Sequence, residues 1–256
     1  MNDWFVEITQ QQICRTPTGI PGLDQILNGG FPPGRVMLLL GEPGSGKTIL
    51  CSQYLMDGLK HGENCLFVSM DENRVHFDRE MGQFGWEFAA FEKEGKFSFI
   101  DASPIRAIPG EVKIGHLTIG RQDFSLMSLL ELVLKNVRAI RATRIVVDPI
   151  SLLIYQYSDE TQRRKALLDL VEALCESGAT CLLSSELRRV GLQGRTLQSE
   201  EYLVHGVILM QTVTAGRAME RIIQVEKMRE TRIDRQPRPY RFSEKGIEVY
   251  AQETIV

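Results

Sequence analysis

The chain has 256 residues, of which 43% are apolar and 25% charged, enough to bury a full core and too hydrophobic for a disordered chain. Its formal charge of −3 argues against a protein that coats nucleic acid with its whole surface, while leaving room for a local basic patch. The five cysteines (Cys14, Cys51, Cys65, Cys175, Cys181) stand singly, with neither CxxC pairs nor zinc spacing, and read as buried thiols in a reducing cytosol.

Residues 1–18 are polar and irregular, with no basic end followed by an apolar run that would mark a signal peptide. Nothing later approaches the ~20 apolar residues of a membrane span, so a cytoplasmic protein is expected. The turn-rich stretches 18–24 and 28–34 flank a short helix at residues 23–27. Residues 36–40 form a continuous apolar run, which predicts a strand buried on both faces, and residues 48–60 predict the helix behind it. A second buried strand is expected at 65–70, and a helix at 73–84 closed by Gly85. Residues 95–122 carry Pro and Gly without clear period and read as an irregular insertion around a strand at 97–101. In 124–142 the apolar residues Leu126, Leu130, Val133, Val137 and Ile140 recur at helical spacing, with Glu131, Lys135 and Arg138 on the opposite face. A third buried strand at 144–148, an amphipathic helix at 159–177 and a fourth strand at 180–185 follow. Beyond the polar stretch 188–202, residues 207–213 and 218–228 around Ala215-Gly216 read as an antiparallel hairpin, closed by 240–242 and 246–250. This alternation predicts an α/β protein: a mostly parallel central sheet with helices on both faces, a C-terminal antiparallel hairpin extension, and ligands at the carboxyl ends of the strands. No repeat or linker interrupts it, so one domain over residues 16–256 is expected, preceded by a polar segment, 1–15.

Gly41, Glu42, Pro43, Gly44, Ser45, Gly46, Lys47 and Thr48 satisfy G-x-x-x-x-G-K-[ST] between a predicted strand and a predicted helix, the context that this phosphate-binding motif requires. Its three glycines free the backbone so that successive N–H groups can face ATP phosphates, and the helix adds its positive end. Lys47 can bridge the outer phosphates, and the Thr48 hydroxyl can hold Mg²⁺, which binds a few oxygens and keeps several waters. Asp148 ends an apolar strand at the same sheet edge and can hold a magnesium-bound water; a helix cap or turn aspartate before Pro149 is the alternative. Asp71-Glu72 follow the second strand, where a carboxylate could orient and deprotonate the water that attacks the γ-phosphate, although acids after strands also cap helices.

In this order the residues resemble the KaiC-type branch of the RecA superfamily, from about residue 16 to 250. TPTGIPGLDQILNGGFPPG looks like that family's lead-in to its phosphate loop, FVSMDE followed by QFGW is similar to its strand with paired acids and later FGW, and the terminal hairpin is in place. The resemblance implies a RecA-like P-loop NTPase that binds ATP and hydrolyses it slowly, with Asp71 and Glu72 as paired catalytic acids and Asp148 as the Walker B aspartate. Position 71 departs from the family's usual glutamate by one methylene, and a base misplaced by ~1 Å can lose ~100-fold in rate. Lys227-Met-Arg229 resembles the family's K-x-R finger, which reaches a neighbour's γ-phosphate and so implies a homo-oligomer, by analogy a hexameric ring. Two residues apart on a strand, Lys227 and Arg229 share a face and could offer two cations to one phosphate. The family's Gly-Thr after this arginine is Glu230-Thr231 here, which leaves the loop geometry open. Many KaiC proteins join two such domains, whereas this chain has room for one. Their adjacent Ser/Thr phosphorylation site is not identifiable, and a circadian role is not carried over.

Two downstream roles compete. Arg188, Arg189 and Arg195 follow the fourth strand, where RecA relatives place loops facing a central channel, and could hold single-stranded DNA as in archaeal recombinase paralogues. Alternatively, nucleotide sets the assembly of a signalling scaffold whose state protein partners read. A small-molecule kinase would leave the Lys227/Arg229 pair without a purpose.

Overall fold

The structure, a computed structural model, describes residues 14–102, 112–114, 117–119, 126–154, 157, 159–187, 199–216 and 218–254. The strands are β1 (Val36–Gly41), β2 (Cys65–Ser69), β3 (Phe97–Asp101), β4 (Val112–Ile114), β5 (Leu117–Ile119), β6 (Arg144–Asp148), β7 (Thr180–Glu186), β8 (Gly206–Ala215), β9 (Ala218–Met228), β10 (Arg238–Ser243) and β11 (Gly246–Val249). The helices are α1 (Pro21–Ile26), α2 (Lys47–Lys60), α3 (Arg74–Gly82), α4 (Phe88–Lys93), α5 (Leu126–Ile140), α6 (Ser151–Ile154), α7 (Glu160–Glu176) and α8 (Ser199–Leu203).

Nine strands form one sheet in the order β11-β10-β9-β8-β1-β7-β6-β2-β3. From β8 to β3 every neighbouring pair is parallel, while β9, β10 and β11 extend the β8 edge antiparallel. The continuous apolar runs follow from this topology, since helices cover both faces of a parallel sheet and bury its central strands β1, β2, β6 and, up to Ser185, β7. Along β1, Leu38 and Leu40 join the core under α5 and α7, while Met37 and Leu39 join the core under α1 and α2. The alternation is the strand's two-residue period.

The strand expected at 97–101 is present as β3, at the edge of the sheet and in register with β2 from Cys65↔Phe97 to Ser69↔Asp101. The short helices α4, α6 and α8 come in addition to the elements expected from the sequence. The arm β8 begins at Gly206 and joins β1 in parallel before it turns into β9, so the hairpin continues the sheet from its centre.

Because the central strands run the same way, the carboxyl ends Ser69, Asp148, Glu186 and Gly41 share one edge, with Met210 of β8 beside Gly41. Antiparallel β9 ends at the opposite, amino edge, where Arg229 N donates to His205 O and His205 N to Val36 O, at 2.8 Å each. That edge is closed by Arg144, 1% exposed at the start of β6. Its Nη1 donates to Pro17 O, Tyr54 O and Asp57 Oδ2 (2.9, 2.8 and 3.2 Å), its Nη2 to Glu63 Oε1 (2.5 Å), and the guanidinium lies 4.8 Å from the Tyr54 ring centroid. One side chain thus ties the lead-in segment, α2 and the turn after α2 to the sheet.

Candidate nucleotide-binding site

The phosphate loop leaves β1 at Gly41 and enters α2 at Lys47, with Gly44 at φ 76° and Gly46 at φ 90°. A Cβ on Gly46 would also meet the Phe242 ring at 2.5 Å, so both backbone angle and space require glycine there. Lys47 Nζ donates to Gly41 O (2.9 Å) and Glu42 O (3.1 Å) within its own loop. Burial lowers the Lys47 pKa, opposed by the charges of Asp148 and Glu186.

Thr48 Oγ1 donates to Asp148 Oδ2 at 2.7 Å, and Ser184 Oγ, from β7, donates to the other carboxylate oxygen. Asp148 is 3% exposed, and burial raises its pKa against the lowering effect of those two hydroxyls and Lys47. Asp148 is therefore neither a helix cap nor a turn residue; it is a buried acid facing the loop that holds Thr48. Around these groups lies a cleft of about 500 Å³, lined among others by Gly44, Lys47, Thr48, Asp71, Asp148 and Phe242.

The paired acids fall at the same edge. Asp71 lines the cleft, and burial, with Glu80 and Asp148 nearby, raises the pKa of Glu72, whose backbone N–H donates to Ser69 Oγ at 3.0 Å. Helix α3 is capped by Asn73, whose side chain accepts from His76 N at 3.1 Å, so the capping role falls to neither acid.

Four contributors lie beyond the sequence reading of the site. Glu80 and Glu186 line the cleft, and Glu186 carries the signal that identified Asp148, an acid closing a buried strand. Tyr240 Oη donates to Ser45 O at 2.7 Å and braces the loop from β10; burial pushes its pKa up to about 12, which keeps the phenol a donor. Phe242, 36% exposed, forms an aromatic wall with the Arg221 guanidinium 4.9 Å from its ring centroid. Nothing local to residues 240–242 announces either role.

Arg229 lies at the amino edge, the full length of β1 away from the phosphate loop, ~17–20 Å, and Lys227 lies beside Val207, level with Leu38 of β1. Their partners differ. Lys227 Nζ donates to the carbonyls of Glu201 (2.9 Å), Tyr202 (3.3 Å) and Val204 (2.6 Å) at the end of α8, whereas Arg229 is exposed. Burial lowers the Lys227 pKa, and the Arg229 charge adds to the effect. Glu230 adopts φ 59°, the left-handed conformation that a glycine would take there, at a cost of roughly 1–2 kcal/mol. A non-glycine residue thus holds a left-handed conformation directly after Arg229. Arg188, Arg189 and Arg195 lie outside the described residues. Among the described residues, no helix is long and apolar enough to cross a membrane.

A parallel sheet with its phosphate loop after β1, and an aspartate at the end of β6 meeting the loop's threonine across the intervening β7, defines a P-loop NTPase of RecA-like fold. Residues 16–254 match the family described as "ATPase: KaiC". The chain belongs to this family. It is 34% identical to a UPF0273 protein of Pyrococcus horikoshii, over 94% of this chain and 96% of that protein. It is likewise 34% identical to the circadian clock protein KaiC3 of Synechocystis, over 95% of this chain and 47% of that protein. Among solved structures, a KaiC-like protein of Pyrococcus horikoshii superposes with a TM-score of 0.77 at 32% identity, over 93% of this chain and 99% of that one.

Proposed function

We propose that the chain binds Mg-ATP in the cleft at the carboxyl edge and hydrolyses it slowly, each site being completed by Arg229 of a neighbouring subunit in a ring. The observation that carries this reading is the 2.7 Å contact between Thr48 and the buried carboxylate of Asp148. A deeply buried acid met by two hydroxyls and a lysine that is itself turned to its own loop's carbonyls is an environment that a divalent cation suits. Thr48 and Asp148 would hold Mg²⁺, the hydroxyl directly and the carboxylate through a bound water. When bound, the ion neutralises charge developing on the phosphate oxygens.

The residues of the chain supply the remaining work. The loop N–H groups and the start of α2 orient the phosphates, and the Lys47 ammonium exchanges two backbone carbonyls for phosphate oxygens. Phe242 offers an apolar face to the base. Asp71 or Glu72 orients the attacking water and accepts its proton; the raised pKa of Glu72 makes it a stronger base than an ordinary carboxylate. Arg229 cannot serve its own subunit's loop from the far edge of the sheet, which is why it is assigned to a neighbour's site.

Calorimetry tests the binding step. Mg-ATP at millimolar concentration should release heat with the wild-type protein, far less with ATP in excess EDTA, and none with Lys47→Ala. No heat from the wild-type protein would end this reading.

A further inference from the structure

We infer that the lead-in segment, through Arg15, Asn28 and Arg35, positions the Arg229 finger for the neighbouring site; the inference rests on the reading of Arg229 as a finger acting in trans. The finger leaves the sheet at Met228, and the chain rejoins it only at Arg238. An exposed arginine on such a loop must be held in register before it can place charge within hydrogen-bond reach of a phosphate, since a small misplacement costs rate rather than fold.

The residues after Arg229 are gripped from one direction. Arg15 Nη2 donates to Glu230 O and Arg15 Nη1 to Thr231 Oγ1, at 2.7 Å each. Arg35 Nη2 pairs with Glu230 Oε1 at 2.5 Å, and Asn28 Nδ2 donates to Arg232 O at 3.0 Å. Arg35 directly precedes β1, whose first residue accepts from His205 N, and His205 O accepts from Arg229 N. The finger is therefore fixed to β1 through both its backbone and the Glu230 side chain. Glycine at 230 would take the φ of 59° without strain but would leave Arg35 without its carboxylate, so the strained glutamate contributes a grip that glycine lacks. None of these side chains lies in the cleft lining; they act through Arg229 and are positioning residues.

The Arg35–Glu230 pair is partly exposed, 40% and 42%, so removing its charge alone should have a modest effect and reversing it a larger one. In the full-length oligomer, Glu230→Gln should lower kcat about two- to threefold and Arg35→Glu about three- to tenfold, with KM for ATP within twofold of wild type. The double swap Arg35→Glu/Glu230→Arg should recover most of kcat. A purely structural defect would not be cured by another subunit, so mixing separates the roles. Arg35→Glu subunits mixed with Lys47→Ala subunits should turn over faster than the sum of the separate proteins, because each intact loop then receives an intact finger; Arg229→Ala in place of Arg35→Glu is the control. Recovery with Arg229→Ala but not with Arg35→Glu overturns the positioning role and leaves the finger standing. Failure of both mixtures removes the finger and the brace with it. Should Arg35→Glu not fold, the kcat of Glu230→Gln decides: a value equal to wild type overturns the brace.

Discussion

At the amino edge the Arg144 guanidinium is almost wholly buried and donates to two carboxylates and two backbone carbonyls, with an aromatic ring beneath it. At the carboxyl edge Asp148 is buried as deeply, yet its hydrogen bonds come from two hydroxyls, and its pKa is raised. The first charge is matched by opposite charge and fastens four segments together. The second is met by two hydroxyl dipoles and the more distant Lys47 ammonium, which do not offset its burial, as the proposed cation site requires. A buried charge thus has either role according to the company it keeps, and the sheet separates the two by its own length.

Truncating the fastener should have the largest effect. Arg144→Ala leaves the half-buried Asp57 and Glu63 carboxylates without their partner and should cost about 3–5 kcal/mol in denaturant unfolding, while Arg144→Met, which keeps volume, should cost less. Equal losses for the two variants would break the contrast between the edges.

The socket should behave in the opposite sense. Asp148→Asn should lower Mg-dependent nucleotide affinity roughly 10- to 100-fold without destabilising the empty protein at neutral pH. The sign follows from burial. The folded-state pKa of Asp148 is raised, so the folded chain holds the proton more tightly than the unfolded one. That stability is present below the unfolded pKa and is lost as pH rises through the folded pKa. The melting temperature of Asp148→Asn relative to wild type should therefore climb from acid to neutral pH; a flat difference would show that Asp148 is compensated after all.

Smallest is the loop brace. Tyr240→Phe removes one buried hydrogen bond and strands Ser45 O, which should cost ~1–2 kcal/mol in stability. If the brace shapes the loop, nucleotide affinity should fall severalfold in the same variant, measured by the calorimetric titration used for wild type.

What the sequence makes legible follows the locality of the physics. Strands β1, β2, β6 and β7 stand out because burial on both faces writes continuous apolar runs such as VMLLL, and the phosphate loop stands out because its chemistry occupies eight consecutive residues. Helices α4 and α8, at six and five residues, hold fewer than two turns, so no period can register in them. Strand β3 is legible as well, at residues 97–101, although it sits at the sheet edge and is only partly buried. The spacing of Lys227 and Arg229 predicts a shared face, but that the Lys227 ammonium meets the end of α8 depends on a helix with no sequence signal. Glu230 is visible as a departure from glycine, while its compensation by Arg35 joins residues 195 apart.

The same separation, 195 residues, lies between Ser45 and Tyr240, and it has a temporal side. Synthesis at ~5–20 residues per second puts roughly 10–40 s between the making of the phosphate loop and the arrival of the phenol that props it. A growing polypeptide carries its loop glycines early and waits for the β10–β11 hairpin to brace them, so the proposed nucleotide site is completed late in the birth of each molecule.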